Sequence, residues 1–232
     1  PNDILVSVPS WASDKKGYWV GTSGRSRSLV IDTRDVTPEE LPNDIYGLAD
    51  EKFRNRLGLA PTNSSFIAMV SCMIELDGEE KVLDWLSSIN SLDYTEYPKN
   101  SPQVAAADSG ELDIGMVNHY YTLRLLAENG DSSIKNVYLD SGCGAMVMPA
   151  GVGILSSSQN KTAAKAFIEF LHSKSVQETF TNSLYEFPLV KGIEPNDLLP
   201  NLENLNSPLN LNWSALAIWQ EKAVELIARS GF

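Results

Sequence analysis

Apolar positions along the chain follow two rhythms that alternate: short continuous runs and longer stretches at helical spacing. That alternation predicts an α/β fold. Ser28 to Asp32 (SLVID) is an apolar run with polar flanks and reads as a strand; the proline-bearing TPEELP after it reads as a connection into a new lobe. A short strand is expected from Gly58. Phe66, Ile67, Met69, Val70, Met73 and Ile74 then recur at helical spacing, which predicts a helix from about Ser65 with Asn63 or Ser64 as its N-cap. Gly78 breaks this helix, and a second one carries Val82, Trp85, Leu86 and Ile89 on one face. In SPQVAAAD, Ser101 takes an N-cap position and Pro102 the first helical position. Ile114 to Val117 forms a short strand that stops where a helix starts at Asn118-His119-Tyr120-Tyr121. After Gly144, MVMPAGVGIL reads as a buried strand and NKTAAKAFIEFL as an amphipathic helix. A stretch rich in proline and asparagine, from Gly192 to Asn212, leads to a closing helix from Trp213 to Ala228.

Composition narrows the function classes. The chain has 232 residues, 43% apolar and 21% charged, enough to bury a core. No apolar run approaches the roughly 18 residues that would span a bilayer, so the chain is not expected to be membrane-spanning. A formal charge of −12 and the lack of a Lys/Arg cluster argue against nucleic acid, whose binding rests on neutralising phosphates. The acidic balance suits a protein that handles cations. His119 and His172, with no third histidine and no Cys or Asp at ligand spacing, do not make a zinc site. Cys72 reads as a small buried thiol on a helix and Cys143 lies in the turn-like SGCGA; their spacing alone does not pair them.

The adjacent phenols Tyr120 and Tyr121 carry the sharpest chemistry. They stand at a junction between a strand's carboxyl end and a helix's first turn, where backbone groups lack internal partners. A phenol ionises near pH ~10, so it becomes an anionic ligand at neutral pH only when a strongly Lewis-acidic cation displaces its proton. Ferric iron is such a cation, hard and trivalent, with a preference for anionic oxygen. From residue type and spacing alone, two aromatics that open a helix and pack into the core are the favoured reading over a metal site.

Six stretches shift that balance: WVGTSGRSRSLVIDT from Trp19, GLAPTNSSF from Gly58, YPKNS from Tyr97, GELDIGMVNHYYTLRL from Gly110, GAMVMPAGVGILSSSQNKTAAKAFIEFL from Gly144, and YEFPLV from Tyr185. In order and approximate spacing the chain resembles the periplasmic ferric-ion-binding proteins that feed iron to ABC importers. The resemblance implies a periplasmic-binding-protein type II fold, two lobes joined by crossover strands with the ligand in a hinged cleft. It places residues 1–27 and 147–200 in lobe 1, and 28–146 and 201–232 in lobe 2. Family members begin with a strand and helix that supply further iron ligands, whereas this sequence opens at PNDILVSVPSW; lobe 1 is therefore expected to lack its N-terminal portion. Exposed core in such a lobe predicts self-association or poor order.

The resemblance also implies roles. Tyr120 and Tyr121 are expected to bind Fe(III) as phenolates. Asn63, Ser64, Ser65 and Asn100 are expected to hold a synergistic phosphate or carbonate, with Arg25 able to pair with a carbonate and Asn118 bracing the tyrosines. Arg25 and Arg27 read equally well as surface charges; Asn63 to Ser65, taken alone, read as a simple N-cap, and the resemblance reverses that reading. The implied partner is an ABC transporter permease, and the implied location is periplasmic or otherwise extracytoplasmic. One rival is a protein of the same fold that binds an organic or phosphorus-containing anion or a polyamine. A more distant rival is a hydrolase using Ser64 or Ser65, but neither a GxSxG elbow nor a suitably placed histidine supports it.

Overall fold

The computed structural model describes residues 2–205, 207–208, 211 and 213–232, so part of the stretch from Gly192 to Asn212 lies outside the described residues. In chain order the elements are α1 (Asn2–Ser7), β1 (Val20–Asp32), β2 (Leu57–Leu59), α2 (Ser64–Asp77), α3 (Glu79–Asn90) and β3 (Thr95–Glu96). They continue with α4 (Asn100–Ser109), β4 (Ile114–Asn118), α5 (His119–Glu128), β5 (Ile134–Val137), β6 (Val147–Val152), α6 (Lys161–Leu171), α7 (Lys174–Leu184), β7 (Phe187–Pro188) and α8 (Trp213–Arg229). They form two compact units, residues 1–25 with 147–204, and residues 26–146 with 205–232.

In the first unit, the opening half of β1 pairs antiparallel with β7 through Ser23 and Gly24, and β6 also pairs with β1. Its core gathers Ile4, Val8, Ala12, Val20, Ile168 and Leu189. Gln177 is fully buried and satisfied: its amide nitrogen donates to the carbonyls of Thr22 and Leu171, while its oxygen accepts from the Leu189 and Val190 backbones. Helix α6 turns Ile168 inward but leaves Phe167 and Phe170 exposed, their rings stacked 6.3 Å apart.

The second unit is organised by its sheet, in the order β3-β2-β4-β1-β5. β2 runs parallel to both β3 and β4, while β1 runs antiparallel to β4 and β5. Leu29, Val30 and Ile31 of β1 are fully buried, as expected of a strand covered on both faces. Phe66, Met69, Val70 and Met73 of α2 and Val82, Trp85, Leu86 and Ile89 of α3 supply much of the remaining core. Each such side chain contributes roughly 1.5–3 kcal/mol through removal from water. Gly115 in β4 is required by close packing: a Cβ there would fall 2.8 Å from Val30 Cγ1 and 3.2 Å from Gln103 Cβ. Gln103 sits that close because its side-chain oxygen accepts the Met116 N–H at 2.9 Å.

Two local expectations are corrected. Helix α4 begins at Asn100 with Lys99 as its N-cap, so Ser101 and Pro102 are its second and third residues. Proline is tolerated anywhere in a first turn, whose N–H groups have no helical acceptors, and its presence did not fix the start to one residue. The reading of Cys72 as a buried thiol is also overturned: it forms a disulfide with Cys143, with Cα atoms 5.8 Å apart, that ties α2 to the 3-10 turn Cys143–Ala145. The two cysteines are 71 residues apart in sequence, a separation over which spacing carries no pairing information.

Candidate functional site

Three parallel strands end side by side in the second unit, and each delivers the start of a helix. β2 leads to α2 through Asn63, β3 leads to α4 at Asn100, and β4 runs directly into α5 at His119. Crevices at the carboxyl ends of parallel strands are where open α/β sheets hold ligands, because several helix N-termini with unpaired N–H groups meet there. Asn63, Ser64, Ser65, Asn100, Asn118, Tyr120 and Tyr121 all lie at this edge.

Asn63 is the N-cap of α2, its side-chain oxygen accepting from Ser65 N at 3.0 Å and from Ser65 Oγ at 2.7 Å. Ser65 is buried, whereas Ser64, the first helical residue, is exposed. Asn100 is 3% exposed. Asn118 is the N-cap of α5 and directly faces Arg27 across the β1–β4 ladder.

Tyr120 is buried and Tyr121 half-buried, their ring centroids 4.3 Å apart with planes tilted by 33°. Tyr120 meets the edge of the His119 ring and lies beneath the Arg124 guanidinium, 4.7 Å from its ring centroid. Tyr121 packs on an apolar cluster of Val30, Val104, Ala107, Val117 and Ile134. The phenol pair is therefore anchored by core packing at one flank and lies among positive charge at the other. His119 is fully buried, its Nδ1 accepting the Ser26 N–H at 3.1 Å.

The residue that sequence reasoning missed is Arg27. It is 1% exposed, which corrects its reading as a surface charge. Its Nη1 donates to Ser65 Oγ at 3.1 Å and to Asn118 Oδ1 at 3.0 Å, and its Nη2 donates to the Met116 carbonyl at 3.1 Å. Its Nε is buried with no partner among the described residues. Burial pushes the guanidinium down to about 10, and the charge of Tyr120 as a phenolate opposes that shift. At neutral pH the group stays charged, a cation held by neutral acceptors within the candidate site. One signal was available: alternation along GRSRSLVID sets Arg27 in the strand itself, with the same side-chain parity as the buried Leu29 and Ile31.

Arg25 belongs to the first unit. Its Nε lies 3.5 Å from a carboxylate oxygen of Glu186, which also accepts a hydrogen bond from Ser23 Oγ. Its charge thus already has a partner there. Among the described residues no three His, Cys, Asp or Glu side chains converge to hold a metal. Any metal chemistry at this edge would fall to the phenols.

Several relatives and solved structures similar to this chain are ferric-binding proteins. The major ferric iron-binding protein of Neisseria meningitidis serogroup B is 34% identical over 220 residues, covering 93% of this chain and 65% of that protein. The Fe(3+)-binding periplasmic protein of Serratia marcescens is 32% identical over 231 residues, covering 98% of this chain and 67% of that protein. Iron-bound HitA from Pseudomonas aeruginosa superposes with a TM-score of 0.92 at 27% identity, covering all of this chain and 75% of HitA. The fold is the type II periplasmic-binding-protein fold of these ferric-binding structures. The sequence pattern of bacterial extracellular solute-binding proteins matches residues 3–217, and the chain belongs to that family, one of binding proteins and not of enzymes.

Proposed function

We propose that the protein captures Fe(III) together with a synergistic phosphate or carbonate and delivers it to the permease of an ABC importer from a periplasmic or other extracytoplasmic location. The observation that carries this reading is the meeting of two adjacent phenols, three helix N-termini and a buried guanidinium at one edge of the second unit's sheet. Tyr120 and Tyr121 would supply phenolate oxygens to the ion. Arg27 and Arg124 would favour their ionised forms by Coulombic attraction. Asn63, Ser64, Ser65 and Asn100 would donate to the anion, assisted by the dipoles of α2 and α4. Asn118 would brace the tyrosines from the N-cap of α5. Arg27 takes over the supporting role expected of Arg25. The names of the Neisseria and Serratia relatives support iron as the cargo.

A phenolate bound to ferric iron gives a visible charge-transfer band. Titrated with ferric ion and phosphate, the protein is expected to develop this colour, and Tyr120→Phe combined with Tyr121→Phe to lose both colour and tight binding. A double variant that keeps both would refute the ligand assignment. A second reading, capture of an organic or phosphorus-containing anion, draws on the same buried guanidinium. Calorimetry with phosphonates separates the two, since the iron reading expects tight binding only with ferric ion and phosphate together, whereas the anion reading expects tight binding of a phosphonate without metal. A polyamine is disfavoured by the positive charge already in place.

A further inference from the structure

Arg27 touches both halves of the candidate site with one planar group. Its Nη1 has two hydrogens, one directed to Ser65 in the first turn of α2 and the other to Asn118, the N-cap of the helix that carries the tyrosines. Nη2 is fixed to the Met116 carbonyl in β4, and the register sets Arg27 opposite Asn118, so the side chain has little freedom to move toward one partner without leaving the other. Ser65 is similarly committed: its hydroxyl gives its hydrogen to Asn63 and accepts from Arg27. An oxyanion arriving at the start of α2 would compete for the Ser65 hydrogen and for the guanidinium. That competition perturbs the bond from Arg27 to Asn118 and, two residues on, the setting of Tyr120.

We propose that Arg27 is a positioning residue that couples the anion turn at Asn63 to Ser65 with the tyrosine corner at Asn118 to Tyr121, so that anion binding alters the tyrosines before any metal arrives. This rests on the reading that the turn takes an anion. It makes the synergy between anion and metal a property of one buried side chain, transmitted through two hydrogen bonds.

The test uses the whole chain without metal, titrated with inorganic phosphate and followed by calorimetry and by the near-ultraviolet difference spectrum of tyrosine. Phosphate is expected to bind and to shift a tyrosine signal that Tyr120→Phe removes. Arg27→Met is expected to weaken phosphate by about tenfold or more, the loss of one charged hydrogen bond, and to abolish the tyrosine response. Added guanidinium ion is expected to restore part of the response in Arg27→Ala, which a merely structural role would not allow. An undiminished tyrosine response in Arg27→Met, or no phosphate response in the parent, overturns the proposal. Should circular dichroism show the Arg27 variants unfolded, Ser65→Ala decides, read at phosphate concentrations that calorimetry shows to saturate it: it cuts the link to α2 and leaves the bond to Asn118, so loss of the tyrosine response with phosphate bound supports the coupling and its retention overturns it. Failure of the iron reading is visible separately, as a parent that responds to phosphate but develops no colour with ferric ion.

Discussion

A guanidinium at 1% exposure that faces only neutral oxygens costs several kcal/mol of desolvation, and nothing among the described residues offers Arg27 a carboxylate. Asp32 shows the contrasting solution five residues further along the same strand. Its carboxylate is 1% exposed but accepts from the Arg34 backbone N at 3.0 Å, Nε at 2.7 Å and Nη2 at 2.9 Å. Burial alone would raise its pKa, but the hydrogen bonds and charge of Arg34 outweigh that and hold it below the usual carboxylate range. A depressed folded-state pKa contributes stability that is complete above the unfolded value, about 3.9, and is lost as pH falls through the lower folded value. Replacing Arg34 with Met is therefore expected to move acid unfolding to higher pH, as followed by circular dichroism; an unchanged acid midpoint would remove Asp32 from the account. At this scale the sequence was partly legible. The junction that carries the tyrosine pair was legible, because the apolar run Ile114 to Val117 stops where α5 starts, while the role expected of the pair came from the resemblance; Arg27 was not legible, because only the ladder register sets it opposite Asn118 and beside Ser65.

Among the elements, hydrophobic rhythm was the most readable signal: α2, α3, α6 and α8 all follow stretches whose apolar positions recur at helical spacing. Their first residues were less legible, as Ser101 shows, because several polar residues in a row can each serve as a cap. Strand order was not written locally at all. That β2, β3 and β4 lie side by side and parallel depends on pairing between distant segments, and this is what brings three helix starts to one edge. The disulfide is another long-range feature. It closes a loop between residues 71 apart and links α2 to the turn at Cys143–Ala145. In the chain-entropy picture such a loop contributes about 4 kcal/mol. The Cys72→Ala, Cys143→Ala double variant is expected to unfold at a clearly lower urea concentration than the parent, with no change under non-reducing and reducing conditions; equal midpoints for variant and oxidised parent would show the bridge to be neutral.

For the molecule as a whole, most of the large exposed apolar side chains among the described residues lie in the first unit: Val6, Tyr18, Leu155, Phe167, Phe170 and Leu198 are each more than half exposed there, against Leu76 and Ile218 in the second. Large exposed apolar side chains grouped on one unit favour association. Light scattering of this chain is expected to show concentration-dependent self-association that Phe167→Ser with Phe170→Ser reduces; a parent that stays monomeric at high concentration would contradict it. The second unit, in contrast, contains every residue on which the iron proposal now depends. The most direct measurement is an iron-edge anomalous difference map from crystals loaded with ferric ion and phosphate. The account predicts one strong peak within coordination distance of both the Tyr120 and Tyr121 hydroxyl oxygens, with phosphate density at the start of α2. A peak elsewhere, or none with both phenols still packed among their present neighbours, would contradict it.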